Sequence, residues 1–134
     1  MRFVISEIFP PNACQLCSSC FVIDPLTGNN VPARAIWDTG ASQSCISPAI
    51  AKSLNLPVVN STTSNTANGP AKATVHVVDI ALGNVRFQKI AVTALQIPDD
   101  AVLIGMDIIG MGKFTVQNSV VNGDLKKVLT LEIP

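Results

Sequence analysis

The feature that most constrains this chain is an apolar strand that runs straight into an acid and a glycine turn, Ala35-Ile36-Trp37-Asp38-Thr39-Gly40-Ala41-Ser42. A strand ending this way projects the Asp38 carboxylate from the lip of a buried sheet, where main-chain N–H groups of the turn can bond it. Asp-Thr-Gly is also ordinary turn chemistry. Alone, the stretch leaves a structural turn and a functional carboxylate both open.

A second stretch, Ala101-Val102-Leu103-Ile104-Gly105-Met106-Asp107-Ile108-Ile109, changes that balance, because another apolar strand runs into a glycine and then a helix-like segment. Taken together and in this order, the two stretches resemble the retropepsin-like aspartic proteases, in which an Asp-Thr-Gly loop is followed downstream by two apolar residues and a glycine. The resemblance runs from about Val31 to Ile133 and points to the branch that holds retroviral proteases, the Ddi1-like domain and bacterial relatives. It implies a mainly β, single-domain, closed β barrel with one or two short helices and a flap hairpin.

Composition bounds the partners. At 134 residues, 48% hydrophobic and 13% charged, the chain is expected to form one domain over 1–134, with an N-terminal strand and Cys-containing loop at 1–20 and the core at 21–134. Nine basic and nine acidic residues cancel, which leaves no electrostatic footprint for nucleic acid or an anionic membrane. No apolar run approaches the roughly 20 residues a membrane helix needs. The start, Met1 to Ser6, is too short an apolar stretch for a secretory signal before Glu7 and Pro10. A soluble, cytoplasmic protein is expected.

In chain order, the pattern predicts a strand from Arg2 to Ser6 and a Pro/Cys loop. A hairpin follows, from Phe21–Asp24 through the turn Pro25 to Asn30 into Val31–Trp37. Ser44 to Ile46 reads as a short strand. Ser47 and Pro48 form an N-cap and N1 pair opening a helix to about Leu54, and Pro57 closes it. Asn60 to Pro70 is a polar run too long for a tight turn, and with the strand that resumes from Ala71 to Leu82 it is expected to make a long hairpin with a mobile tip. Gly83-Asn84 turns into Val85–Leu95, Ile108 to Met111 is a brief helix, and Asn122-Gly123 turns the last hairpin, Phe114–Gln117 into Leu125–Ile133.

Hydrolysing a peptide bond needs a nucleophile, a proton donor for the leaving amine and oxyanion stabilisation. Two carboxyls in contact meet this with water as nucleophile, since like charges so close cannot both ionise; the aspartic-protease dyad is the standard example of that physics. Only one Asp-Thr-Gly is present. Asp107 sits where an acid satisfies helix N-terminal N–H groups, and Asp99 and Asp100 lie in a polar loop. The second carboxyl is therefore expected from Asp38 of another copy across a two-fold axis.

The resemblance implies the remaining roles. Asp38, Thr39 and Gly40 form the catalytic loop, with Thr39 bonding across the axis. Ala41, Ser42, Leu103, Ile104 and Gly105 support it, the Ser42 hydroxyl being a candidate to bond the carboxylate. Ala67, Asn68, Gly69 and Pro70 form the flap tip. Chain ends supply dimer strands in the retroviral type, which nominates Arg2–Ser6 and Val128–Ile133. The expected activity is an aspartic endopeptidase acting as a homodimer on an extended peptide or protein, without cofactor or metal. The alternative is a retropepsin-fold dimerisation or peptide-binding module that does not cut.

Rival chemistries have weaker support. Cys14, Cys17 and Cys20 could offer three thiolates to zinc, with Cys45 or His76 as fourth ligand, but the usual signature has two separated pairs. A Ser-His-Asp or Cys-His site would have to use His76, the sole histidine, which alternates with apolar residues along a strand and reads as packed. A phosphoaspartyl enzyme would need an acid where Gly40 stands. No phosphate-binding or dinucleotide glycine pattern occurs.

Overall fold

Short continuous apolar runs, at 35–37 and Ala101–Ile104, build the strand ends that carry the site. The computed structural model describes residues 2–66 and 68–134. Ten strands and two short helices follow in the order β1 Phe3–Phe9, β2 Cys17–Ile23, β3 Asn30–Trp37, β4 Cys45–Ile46, α1 Pro48–Ser53, β5 Asn60–Thr66, β6 Gly69–Leu82, β7 Val85–Ala94, β8 Ala101–Ile104, α2 Met106–Ile109, β9 Lys113–Val121 and β10 Asp124–Ile133.

Six strands close a mixed barrel in the order β2-β3-β8-β4-β7-β6, the ring being sealed by antiparallel pairing of β2 with β6. β5 hangs on the outside of β6 as the second arm of a hairpin. A separate sheet, β1-β10-β9, packs against the barrel. The shared core includes Val22, Ile46, Val78, Ile80, Leu82, Val102 and Ile104 from the barrel, Ile108 from α2, and Leu129 and Leu131 from β10. Each such aliphatic side chain contributes about 1.5–3 kcal/mol by leaving water.

Local chemistry sets the connections. The Asp24 carboxylate accepts from Leu26 N–H at 3.0 Å and from the Thr27 hydroxyl at 3.1 Å, which pins the turn between β2 and β3. Ser47 caps α1 by accepting from Ile50 N–H at 3.2 Å, and its own hydroxyl donates to the Asp99 carbonyl at 2.6 Å. Asn122 and Gly123, at φ 51° and 85°, make the mirror-image turn that joins β9 to β10.

Four expectations need correction. β2 begins at Cys17, so Cys17 and Cys20 belong to a strand paired with β3, with Ser18, Cys20 and Val22 turned inward at period two. The polar run Asn60–Thr66 is a strand, because its backbone pairs with β6 from Asn60↔Val75 to Thr66↔Gly69. Hydrophobic alternation is missing there because most of its described side chains face solvent. α2 starts at Met106, with Gly105 as its N-cap, rather than at Ile108. Val128–Ile133 lies in the central strand of its sheet, and with β1 on one side and β9 on the other it has no free edge for a partner.

Candidate active site

β3 and β8 run parallel, Arg34↔Ala101 through Trp37↔Ile104, and β4 lies antiparallel on the other side of β8. The segment from Trp37 to Cys45 must therefore arch over the end of β8. Asp38 stands at the start of the arch, half-buried, with its N–H donating to the Ile104 carbonyl at 2.9 Å. Gly40 N–H donates to Asp38 Oδ1 at 2.9 Å, and no described residue donates to Oδ2. The carboxylate is thus aimed by its own turn while one oxygen stays open.

Gly105 is the point on which the arch rests. A Cβ there would lie 2.7 Å from the Gln43 carbonyl carbon and 2.8 Å from the Ala41 and Gln43 oxygens, so only glycine allows the two segments to touch. Ser44 and Asp107 complete the joint. Gly105 N–H donates to Ser44 Oγ at 3.0 Å, that hydroxyl donates to Asp107 Oδ1 at 2.7 Å, and Ser44 N–H donates to Asp107 Oδ2 at 3.0 Å. Met106 N–H donates to the Ala41 carbonyl at 2.8 Å. The loop is fixed from both ends. Ion-assisted bonds of this kind are the strong class.

Of the residues nominated from sequence, Asp38, Gly40 and Ala41 are joined with Leu103, Ile104 and Gly105 in this arrangement. Thr39 and Ser42 are exposed, and neither side chain bonds a described residue. Asn68, Gly69 and Pro70 lie at the turn between β5 and β6, while Ala67 lies outside the described residues. The flap hairpin and the β7–β8 loop border a cavity of about 410 Å³, lined by Asn65, Lys72 and Thr74 on one side and by Leu95 and Ile97 on the other. Asp107 accepts from Ile108 N–H at 3.0 Å, as its place at a helix start suggested, but its bonds to Ser44 were not apparent from sequence, since the two lie far apart along the chain.

The cysteines and histidine are dispersed. Cys14 is exposed, and Cys17 is half-buried with the Arg34 guanidinium donating to its sulfur at 3.6 Å. Burial pushes the Cys20 thiol up to about 12. Cys45 is pushed up to about 11, first by burial and then by the charges of Asp107 and Asp38. No group of three metal-ligating side chains occurs among the described residues. His76 is buried, its Nδ1 2.9 Å from the Pro57 carbonyl and its Nε2 2.9 Å from the Thr74 hydroxyl. It ties the root of the flap to the segment after α1. Asp100 pairs with Arg34, which holds its carboxyl below the usual range. Among the described residues no helix is long and apolar enough to cross a membrane.

Residues 25–111 match the family model of the gag-polyprotein putative aspartyl proteases. A search of curated proteins by sequence gave no match. Among solved structures, the chain is similar to a retropepsin-like aspartic protease from Rickettsia conorii, at 21% identity and TM-score 0.62, covering 100% of this chain and 97% of that one. It is also similar to the retroviral protease-like domain of Ddi1 from Leishmania major, at 14% identity and TM-score 0.53, covering 86% of this chain and 94% of that one. A third similarity is to the simian foamy virus (mac) protease, at 17% identity and TM-score 0.52, covering 71% and 92%. Structural likeness at these identities speaks for the fold alone, whereas the family model spans well over half of the chain, including both motif stretches. The chain belongs to the gag-polyprotein putative aspartyl proteases, within the retropepsin-like group.

Proposed function

We propose that this chain is an aspartic endopeptidase whose site forms when two copies bring their Asp38 side chains together. The observation that carries the reading is the open oxygen of Asp38 on a loop bonded to β8 and α2, in a chain of this family. In the paired site one carboxyl keeps a proton and the other is ionised, since two negative charges in contact repel. The ionised member takes a proton from water as it attacks the peptide carbonyl. The protonated member bonds the developing oxyanion and supplies the proton that leaves with the amine. The pair titrates as one unit.

Thr39, exposed beside Asp38, is suited to bond its counterpart across the axis, and Ser42 stands near enough in sequence to assist. Residues 68–70 would cover an extended peptide held by strand-like pairing. We assign it to the cytoplasm, where four unpaired thiols are chemically at home.

The test is digestion of casein at pH values from about 4 to about 7 by the native chain and by Asp38→Asn, with and without pepstatin. Cleavage by the native chain alone, blocked by pepstatin, is the expected result. Equal inhibitor-insensitive background from both would end the peptidase reading in favour of a peptide-binding module that does not cut.

A further inference from the structure

We propose that the outer edge of β9 is the surface on which a second copy docks, its own β9 pairing antiparallel about a two-fold axis at Val116. This rests on the peptidase reading, because that reading makes half a site in each chain and so demands a symmetric neighbour.

The edge is open and undefended. β9 is the last strand of the order β1-β10-β9, and its pairing with β10 runs unbroken from Val121↔Asp124 to Lys113↔Glu132. Strands at sheet edges are normally protected by proline, charge, a bulge or a covering segment. Over its nine residues β9 has no proline and a single charge, Lys113 at its first position. The opposite edge differs, since β1 carries Glu7, runs into Pro10, and shares a groove with the β6–β7 turn at Leu82, Gly83 and Asn84.

The apolar face of the sheet also runs on past the barrel. Phe114, Leu129 and Leu131 share a face with Val116, Val120 and Leu125, yet Leu129 and Leu131 are fully buried while those three are 42%, 73% and 53% exposed. Three large aliphatic side chains at or beside an open edge thus remain largely exposed.

A second copy fits this edge better than an unrelated chain. The Phe114 ring lies 5.7 Å from the Trp37 ring, and Trp37 precedes Asp38, so a two-fold axis on β9 brings the second catalytic loop to the same side of the assembly. With the axis at Val116, Val116 faces its twin, Thr115 faces Gln117, Phe114 faces Asn118, and Lys113 faces Ser119. No like charges meet. Val120 then lies opposite the second copy's Gly112, beside its Met111, which is 45% exposed here. The product is a continuous six-stranded sheet, β1-β10-β9 followed by its symmetric continuation.

The test uses the self-facing position. Val116→Lys and Val116→Glu each set like charges against each other across the axis. Either variant alone should raise the dimer dissociation constant by about tenfold or more, and an equimolar mixture should restore the dimer as a Lys–Glu pair. Sedimentation velocity over a concentration series reads this, with circular dichroism confirming that each variant folds. Val120→Lys, at a more exposed position, should weaken the dimer in the same direction, and Leu26→Lys, in the exposed turn between β2 and β3, should leave it unchanged. Casein cleavage should fall and return with the dimer fraction.

A mixture that stays monomeric overturns the register. A native chain that dimerises and cuts while both Val116 variants do the same overturns this interface and leaves the peptidase reading intact. A folded native chain that is monomeric and inert overturns both.

Discussion

Replacing Gly105 by alanine tests the joint on which the Asp38 loop rests. The added methyl would sit 2.7–2.8 Å from three backbone atoms of Ala41 and Gln43, whereas ordinary contact begins near 3.4 Å. None of the three belongs to a flexible side chain, so the arch itself must shift by several tenths of an ångström. That movement strains the bonds Met106 N–H to Ala41 and Gly105 N–H to Ser44. Overpacking of this kind costs about 1–3 kcal/mol, and each of the two weakened neutral hydrogen bonds about 0.5–1.5 kcal/mol. Against this, Gly105 has φ −94°, which alanine adopts freely, so the stiffer unfolded chain returns about 0.4–1 kcal/mol. The net expectation is a loss of about 2–4 kcal/mol, a large part of the roughly 5–15 kcal/mol that holds such a domain together.

Gly28→Ala is the control. Its Cβ would meet nothing within 4 Å, and the cost is only the positive φ of 80°, about 1 kcal/mol. Urea unfolding at one fixed protein concentration should give a midpoint shift for Gly105→Ala at least about twice that of Gly28→Ala, with the slope unchanged. Peptidase activity should be lost with Gly105→Ala and kept with Gly28→Ala. Equal midpoints for the two variants would refute the argument from close approach.

Asp107→Ala removes the acceptor for both Ser44 bonds and should cost about 2–4 kcal/mol, with Asp107→Asn costing less because one oxygen remains; thermal melts check the order. Trp37→Phe should lose about 1–2 kcal/mol, since the indole N–H donates to the buried Ser18 hydroxyl at 2.8 Å and the variant orphans that oxygen. A chromogenic disulfide reagent should label Cys14 first and Cys17 next, and reach Cys20 and Cys45 only on unfolding. Stability should fall as pH rises from about 9 towards about 12, because the unfolded chain ionises Cys20 at the ordinary thiol value while the folded chain keeps it neutral up to about 12. The raised folded value means this contribution is intact below pH 9; Cys20→Ala should lower stability overall yet flatten that alkaline slope.

Much of the fold was readable where one residue type solves one local problem. Ser47 with Pro48 opened α1, Asn122-Gly123 and Gly83-Asn84 marked their turns, and the apolar run ending at Leu82 marked a strand. Reading failed where pairing rather than side-chain burial makes the strand. Asn60–Thr66 is held by backbone bonds to β6, and most of its described side chains leave no hydrophobic trace. Cys17–Cys20 was obscured because this half of β2, Cys-Ser-Ser-Cys, holds no large apolar side chain.

What the sequence alone determined is the chemistry on offer: a carboxylate at a strand end, a turn that aims it, and a second strand ending in glycine. Each depends on neighbours a few residues away, so local rules sufficed. Only the tertiary structure decided that Gly105 carries the arch, that Ser44 and Asp107 tie it down, and that β10 is central while β9 is an open edge. Those outcomes depend on which distant backbone segments meet, a matter of chain threading and register that no short stretch of sequence encodes.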